Sequence, residues 1–99
     1  MSGRLRAYVI AYDIVDDRWR GRVADLLLSY GERVQASVFV VGATPAAMTR
    51  LQDELSSEIA KGVDSILICN MGTYDERESK IIYLGKHVNS GLDRDCLII

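Results

Sequence analysis

Two rhythms of apolar and polar positions alternate along the chain. The segment from residue 4 to residue 14 ends in Tyr8-Val9-Ile10-Ala11-Tyr12-Asp13-Ile14, a short aromatic and β-branched run that predicts a central strand buried on both faces. Asp16-Asp17 stops it. Val23, Leu26, Leu27 and Tyr30 then recur at i, i+3, i+4 and i+7, which predicts an amphipathic helix with Asp17 as its N-cap and Gly31 as its stop. From Val34 to Val41 the period falls to two, placing Val34, Ala36, Val38 and Val40 on one face and Gln35, Ser37, Phe39 and Val41 on the other. Thr44-Pro45 reads as a cap followed by Pro at the first helical position, and Met48, Leu51, Leu55 and Ile59 mark the buried stripe of a second helix that Lys61-Gly62 ends. Ser65 to Asn70 is a further short strand, followed by Gly72 and the charged stretch Asp75 to Lys80. Ile81 to Leu84 and Cys96 to Ile99 are two more predicted strands around a Gly/Asn/Ser loop.

That order fits an α+β sandwich with two helices on one face of a sheet. A ferredoxin-like fold, βαββαβ plus a C-terminal strand, needs one more strand before the second helix. The segment 33–43 therefore forms either a single strand or a hairpin, and the pattern leaves both open. Residues 1–99 are expected to form one domain burying roughly two-thirds of its unfolded surface, with residues 81–99 as a C-terminal strand extension at a dimer interface.

A composition of 48% hydrophobic and 26% charged residues with one Pro excludes a disordered chain. Met1 to Arg6 lacks the apolar core of a signal peptide, and no apolar run approaches the roughly 20 residues that span a bilayer. The expectation is a cytoplasmic protein with no membrane partner. Cys69 and Cys96 lie far apart with no CxxC spacing, which suggests buried reduced thiols rather than a zinc or redox site. The net charge of −2 argues against a uniformly basic nucleic-acid binder, but residues 1–42 carry six Arg against five acids, while residues 43–99 carry six basic residues against nine acids. The first half is where phosphate contacts are expected.

Asp13 is the most informative residue there, an acid closing an apolar strand and followed by Asp16, Asp17, Arg18, Arg20 and Arg22. A carboxylate beside several guanidiniums suits a phosphodiester, since the acid can hold magnesium and the cations can hold phosphate oxygens. The plainer alternative is a helix cap with surface ion pairs. One carboxylate is too little for a metal site, and a two-fold axis near Asp13 would supply the second from a partner chain. No general base is evident: His87 reads as a solvated loop residue, Ser37 lacks a His–Asp pattern around it, and Tyr12 reads as a positioning or core aromatic. Phe39 reads first as a core residue. Trp19, between two arginines, is expected either to be exposed, where it could stack on a base, or to pack on a partner.

Tyr12-Asp13-Ile14-Val15-Asp16-Asp17, then Arg20-Gly21-Arg22-Val23-Ala24 and Gly31-Glu32-Arg33-Val34-Gln35-Ala36-Ser37-Val38-Phe39, resemble the two signature stretches of the Cas-two family of CRISPR-associated proteins. The resemblance implies a ferredoxin-like homodimer that partners the CRISPR integrase in inserting new spacers, in a family that includes metal-dependent nucleases acting on RNA or double-stranded DNA. By matched position it implies a catalytic set of Tyr12, Asp13, Arg20, Arg22, Arg33 and Phe39, with Mg2+ on Asp13 at the dimer axis. Nucleic acid would be held by Arg20, Arg22 and Arg33, with Arg18 as an additional cation. The apolar end Cys96-Leu97-Ile98-Ile99 is expected to add to a sheet edge across the dimer. The competing readings are a non-catalytic DNA-binding scaffold of the integrase complex, an RNA-cleaving toxin related by fold, and a small-molecule regulatory domain on the same fold.

Overall fold

The computed structural model describes residues 4–85. Strand β1 (Arg6–Asp13) leads into helix α1 (Asp17–Leu28), and β2 (Gly31–Gln35) and β3 (Val38–Ala43) form a hairpin. Helix α2 (Pro45–Ser57) and strand β4 (Ser65–Thr73) follow, then a single 3-10 turn at Tyr74–Glu76 and the short helix α3 (Arg77–Lys80). The four strands form one antiparallel sheet in the order β2-β3-β1-β4. This is the ferredoxin-like α+β arrangement, with segment 33–43 resolved as a hairpin.

The hairpin changes which residues of that segment share a face. Ala36 and Ser37 form the turn, and a register shift lies between Arg33 and Gln35, so strict alternation from Val34 to Val41 does not hold. Phe39 and Val41 face the helices, whereas Val34 and Val40 are buried apart from that cluster. Gly31, expected to stop α1, instead opens β2, and Ser29 caps the helix. A Cβ on Gly31 would stand 2.1 Å from the Val40 carbonyl oxygen, so only glycine permits so close an approach of the two strands.

The core lies between the sheet and the two long helices. Tyr8, Ile10 and Tyr12 of β1 meet Val23 and Leu27 of α1, Phe39 and Val41 of β3, and Met48, Leu51 and Leu55 of α2. Leu27, Leu51 and Leu55 are all but fully buried, each worth about 1.5–3 kcal/mol relative to exposure. Helix α2 begins as the sequence predicts, with the Thr44 hydroxyl accepting from the Ala47 amide and Pro45 in the first turn. It ends at Ser57, and Ile59 packs on the core from beyond the helix.

The other face of the sheet carries no long helix among the described residues. Leu67 is 61% exposed there, and Cys69, expected to be buried, is exposed because β4 alternates Ser65, Leu67 and Cys69 away from the helices. The chain after β4 turns back toward this face. The Tyr74 amide donates to the Leu5 carbonyl at 3.0 Å, and a Cβ on Gly42 would lie 2.7 Å from the Tyr74 ring. Residues 81–84, predicted as a strand, form no ladder among the described residues. The fold-back at Tyr74 takes the chain out of the plane of the sheet, and Tyr83 approaches Glu32 of β2. Burial, and then the Glu32 charge, raise the Tyr83 phenol above its ordinary value. Cys96 to Ile99 and His87 lie outside the described residues.

Candidate functional site

Asp13 closes β1, opposite Ser65 of β4. Since Tyr12 faces the helix-side core, alternation turns Asp13 to the opposite face, in line with Val9 and Ala11. It borders a shallow hollow of about 320 Å3 lined by Ala11, Tyr12, Asp13, Ser65, Ile66 and Leu67. Its side chain is exposed and makes no hydrogen bond or ion pair among the described residues.

Every other acid at this end of the sheet is engaged. Asp16, not Asp17, is the N-cap of α1: its Oδ1 accepts from the Arg18 amide at 2.8 Å and the Trp19 amide at 3.2 Å. Those two backbone bonds, Trp19 first, hold its carboxyl below the usual carboxylate range. Asp17 is already the first residue of the helix and cannot be its cap, and its carboxylate pairs with Arg20. Asp64, at the foot of β4, accepts from the Val15 amide at 3.1 Å and the Ala60 amide at 2.9 Å.

The cations divide in a way that the sequence does not show. The Arg20 guanidinium reaches back to the Ile14 carbonyl at 2.9 Å and the Val15 carbonyl at 3.4 Å while also pairing with Asp17. Arg22 lies over the Trp19 ring, 4.6 Å from its centroid, with Nη1 3.7 Å from Glu58 Oε1. Arg33 lies over Phe39 at 5.1 Å, and its Nε is buried without a hydrogen-bond partner among the described residues. Arg18 has an 82% exposed side chain and, among the described residues, only a long side-chain contact of 3.7 Å to Asp16.

The structure thus gathers Tyr12, Asp13, Arg18 and Arg20 at one end of the sheet and places Arg33 and Phe39 on its helix side. Phe39 is fully buried, and Tyr12 is buried against it with ring centroids 6.0 Å apart, its hydroxyl directed to the Ala36 carbonyl at 3.5 Å. Trp19 is half-buried against the core and covered by Arg22, so it offers no free face to a base.

The family described as CRISPR associated protein Cas2 matches residues 6–79, a span that runs from the start of β1 into α3 and includes all of these residues. The chain belongs to the Cas2 family. A CRISPR-associated endoribonuclease Cas2 of Rhodospirillum rubrum is 50% identical over 64 residues, which is 65% of this chain and 52% of the relative, so the match spans about half of that protein's length. Another Cas2 endoribonuclease of the same organism is 34% identical over 99 residues, covering 99% of this chain and 95% of the relative. Among solved structures, the hypothetical protein TT1823 of Thermus thermophilus superposes with a TM-score of 0.74 at 33% identity, over 86% of this chain and 96% of that one. The Cas2 of Streptococcus pyogenes, solved at pH 6.5, gives 0.72 at 28% identity, over 80% and 99%.

Two residues of this candidate site had no signal in the sequence. Asp64 contacts Val15 across 49 positions, and Glu58, the partner of Arg22, looks like any helix-end acid until α1 and α2 are packed together.

Proposed function

We propose that this Cas2 protein acts in CRISPR adaptation as a cytoplasmic homodimer that joins the CRISPR integrase on double-stranded DNA, and that it cleaves RNA or duplex DNA with Mg2+ held by Asp13 from both protomers. The observation that carries the nuclease reading is the state of Asp13. Among the described residues it alone of the acids at this end of the sheet has no protein partner, at the rim of a hollow that one phosphodiester could enter.

Magnesium takes one or two carboxylates and keeps several waters, and an exposed, unpaired carboxylate suits one of those positions. No group of three or more His, Cys, Asp or Glu that could hold a metal exists among the described residues, and a two-fold axis near Asp13 would bring a second copy of its carboxylate to the first. Bound there, the metal would lower the pKa of a coordinated water. The chain's own contribution is to keep the Asp13 side chain facing solvent, to fix the connection behind it through Arg20, and to offer the Arg18 guanidinium to phosphate oxygens. Tyr12 and Phe39 act from the core by holding the end of β1 in place.

A dimer is supported by apolar side chains left in water on and near the open face of the sheet: Leu67 at 61%, Ile82 at 82% and Leu84 at 69%. Residues 81–99 are proposed to complete that interface. No helix among the described residues is long and apolar enough to cross a membrane.

The decisive experiment is cleavage of labelled RNA and duplex DNA with Mg2+ by the wild type and by Asp13→Ala, with nucleic-acid binding measured on both. Loss of cleavage by at least about a hundredfold with binding retained is expected of a group that organises the metal. A wild type that binds duplex DNA but cleaves nothing would establish the scaffold reading in its place.

A further inference from the structure

Three residues, Ile14, Val15 and Asp16, join Asp13 to helix α1. Ile14 is buried and Asp16 caps the helix, but the Val15 side chain is 69% exposed, so packing does not hold this residue. Polar bonds hold it from two sides. Its N–H donates to Asp64 Oδ1 at 3.1 Å, and its carbonyl accepts from Arg20 Nη1 at 3.4 Å.

Asp64 is well placed for this because it is itself held. Its second oxygen, Oδ2, accepts from the Ala60 amide at 2.9 Å, while the Ala60 carbonyl accepts from the Val63 and Asp64 amides at 3.0 and 2.9 Å. The turn from Ala60 to Asp64 therefore closes on both sides of one carboxylate, with Gly62 at φ +98° supplying the left-handed residue. Ser65, the next residue, is the ladder partner of Asp13. The backbone of Asp13 is thus fastened to β4 at its own position through the sheet and two residues later through the Asp64 side chain.

We infer that Asp64 is a positioning residue for Asp13: by clamping Val15 it sets the backbone direction in which the Asp13 carboxylate leaves the strand. The inference rests on the reading of Asp13 as the metal-holding acid. A carboxylate displaced by about 1 Å can lose on the order of a hundredfold in rate, so the clamp bears directly on turnover although Asp64 touches neither metal nor nucleic acid.

Asp64→Ala removes both bonds, whereas Asp64→Asn keeps one acceptor oxygen and can serve only one of the two amides. Three quantities are measured on the full chain: Mn2+ affinity by electron paramagnetic resonance, cleavage kinetics with Mg2+, and hydrogen exchange of the Val15 amide. For Asp64→Ala the expected result is Val15 exchange faster by about tenfold or more, Mn2+ binding weakened several-fold, and kcat lowered by about ten- to a hundredfold with little change in KM. Asp64→Asn is expected to fall between, and it carries the same comparison if the alanine variant does not fold. Wild-type Mn2+ affinity and kcat in a folded Asp64→Ala would overturn the clamp while leaving Asp13 in its role. A wild type that neither binds Mn2+ nor cleaves, and is indistinguishable from Asp13→Ala, would overturn the reading of Asp13 and the positioning role with it.

Discussion

Four acids near the end of β1 differ less in chemistry than in what surrounds them. Asp16 is satisfied by two amides, Asp17 by Arg20 and Asp64 by two further amides, which leaves Asp13 alone without a partner among the described residues. The cap has a pH signature. Because the Asp16 carboxyl is depressed in the folded state, its contribution is present above the ordinary carboxylate value of 3.8 and is lost as pH falls through the lower folded value. An acid titration followed by circular dichroism should therefore show the wild type losing its advantage over Asp16→Asn below about pH 4; a gap that stays constant to pH 2 would contradict the cap's charge dependence.

The arginines sort in the same manner. Arg18→Ala should weaken nucleic-acid binding and reduce the salt slope of log K by about one, with little effect on melting. Arg20→Ala should lower the melting temperature, since it releases two loop carbonyls. Equal loss of salt slope in both variants would show that Arg20 leaves its internal bonds to reach phosphate. The place of Asp13 at the exposed end of a strand was legible in the sequence because its peculiarity is local, an acid ending an apolar run. The engagement of Arg20, Arg22 and Asp64 was not, because each depends on a loop carbonyl or a distant segment that no periodicity encodes.

At the scale of elements, what was legible followed hydrophobic period and capping chemistry. Helix α2 starts where Thr44-Pro45 places it, and β1 ends at Asp13. Segment 33–43 resisted because the hairpin turn at Ala36-Ser37 offers only Ser37, a weak turn former, and none of the Gly, Pro, Asn or Asp that announce a turn more strongly. Gly31 carried a signal of the wrong kind: it reads as a helix stop, yet its function is the close approach of β2 to Val40. Gly31→Ala should therefore destabilise the protein by about 1–3 kcal/mol, as overpacking does, measured by urea unfolding. A change below a few tenths would mean that the hairpin opens to accept the methyl group. The 81–84 segment has the composition of a strand, but Tyr74, seated against Gly42, directs the chain across the sheet instead of along its edge.

The whole molecule is two-sided. One face of the sheet is closed by α1 and α2 over a continuous core, and the other is left with Leu67 and Cys69 exposed and, among the described residues, only the segment 74–85 for cover. The sequence conveyed the first side through its helical stripes, and it conveyed the second only as an excess of apolar residues without a place to go. Placing a charge there should decide what covers it: Leu67→Lys is expected to convert a dimer to a monomer in sedimentation equilibrium at micromolar concentration without lowering helix content. A dimer of undiminished affinity would move the interface elsewhere.

Trp19 is the single tryptophan of the chain, wedged between the core and the Arg22 guanidinium, with Glu58 of the α2 C-cap on the far side of that cation. The molecule therefore carries its own optical gauge of how the helices sit on one another. Indole fluorescence will follow the α1–α2 seam rather than events around Asp13, so a change in emission when nucleic acid is added would mean that the helix layer itself has shifted.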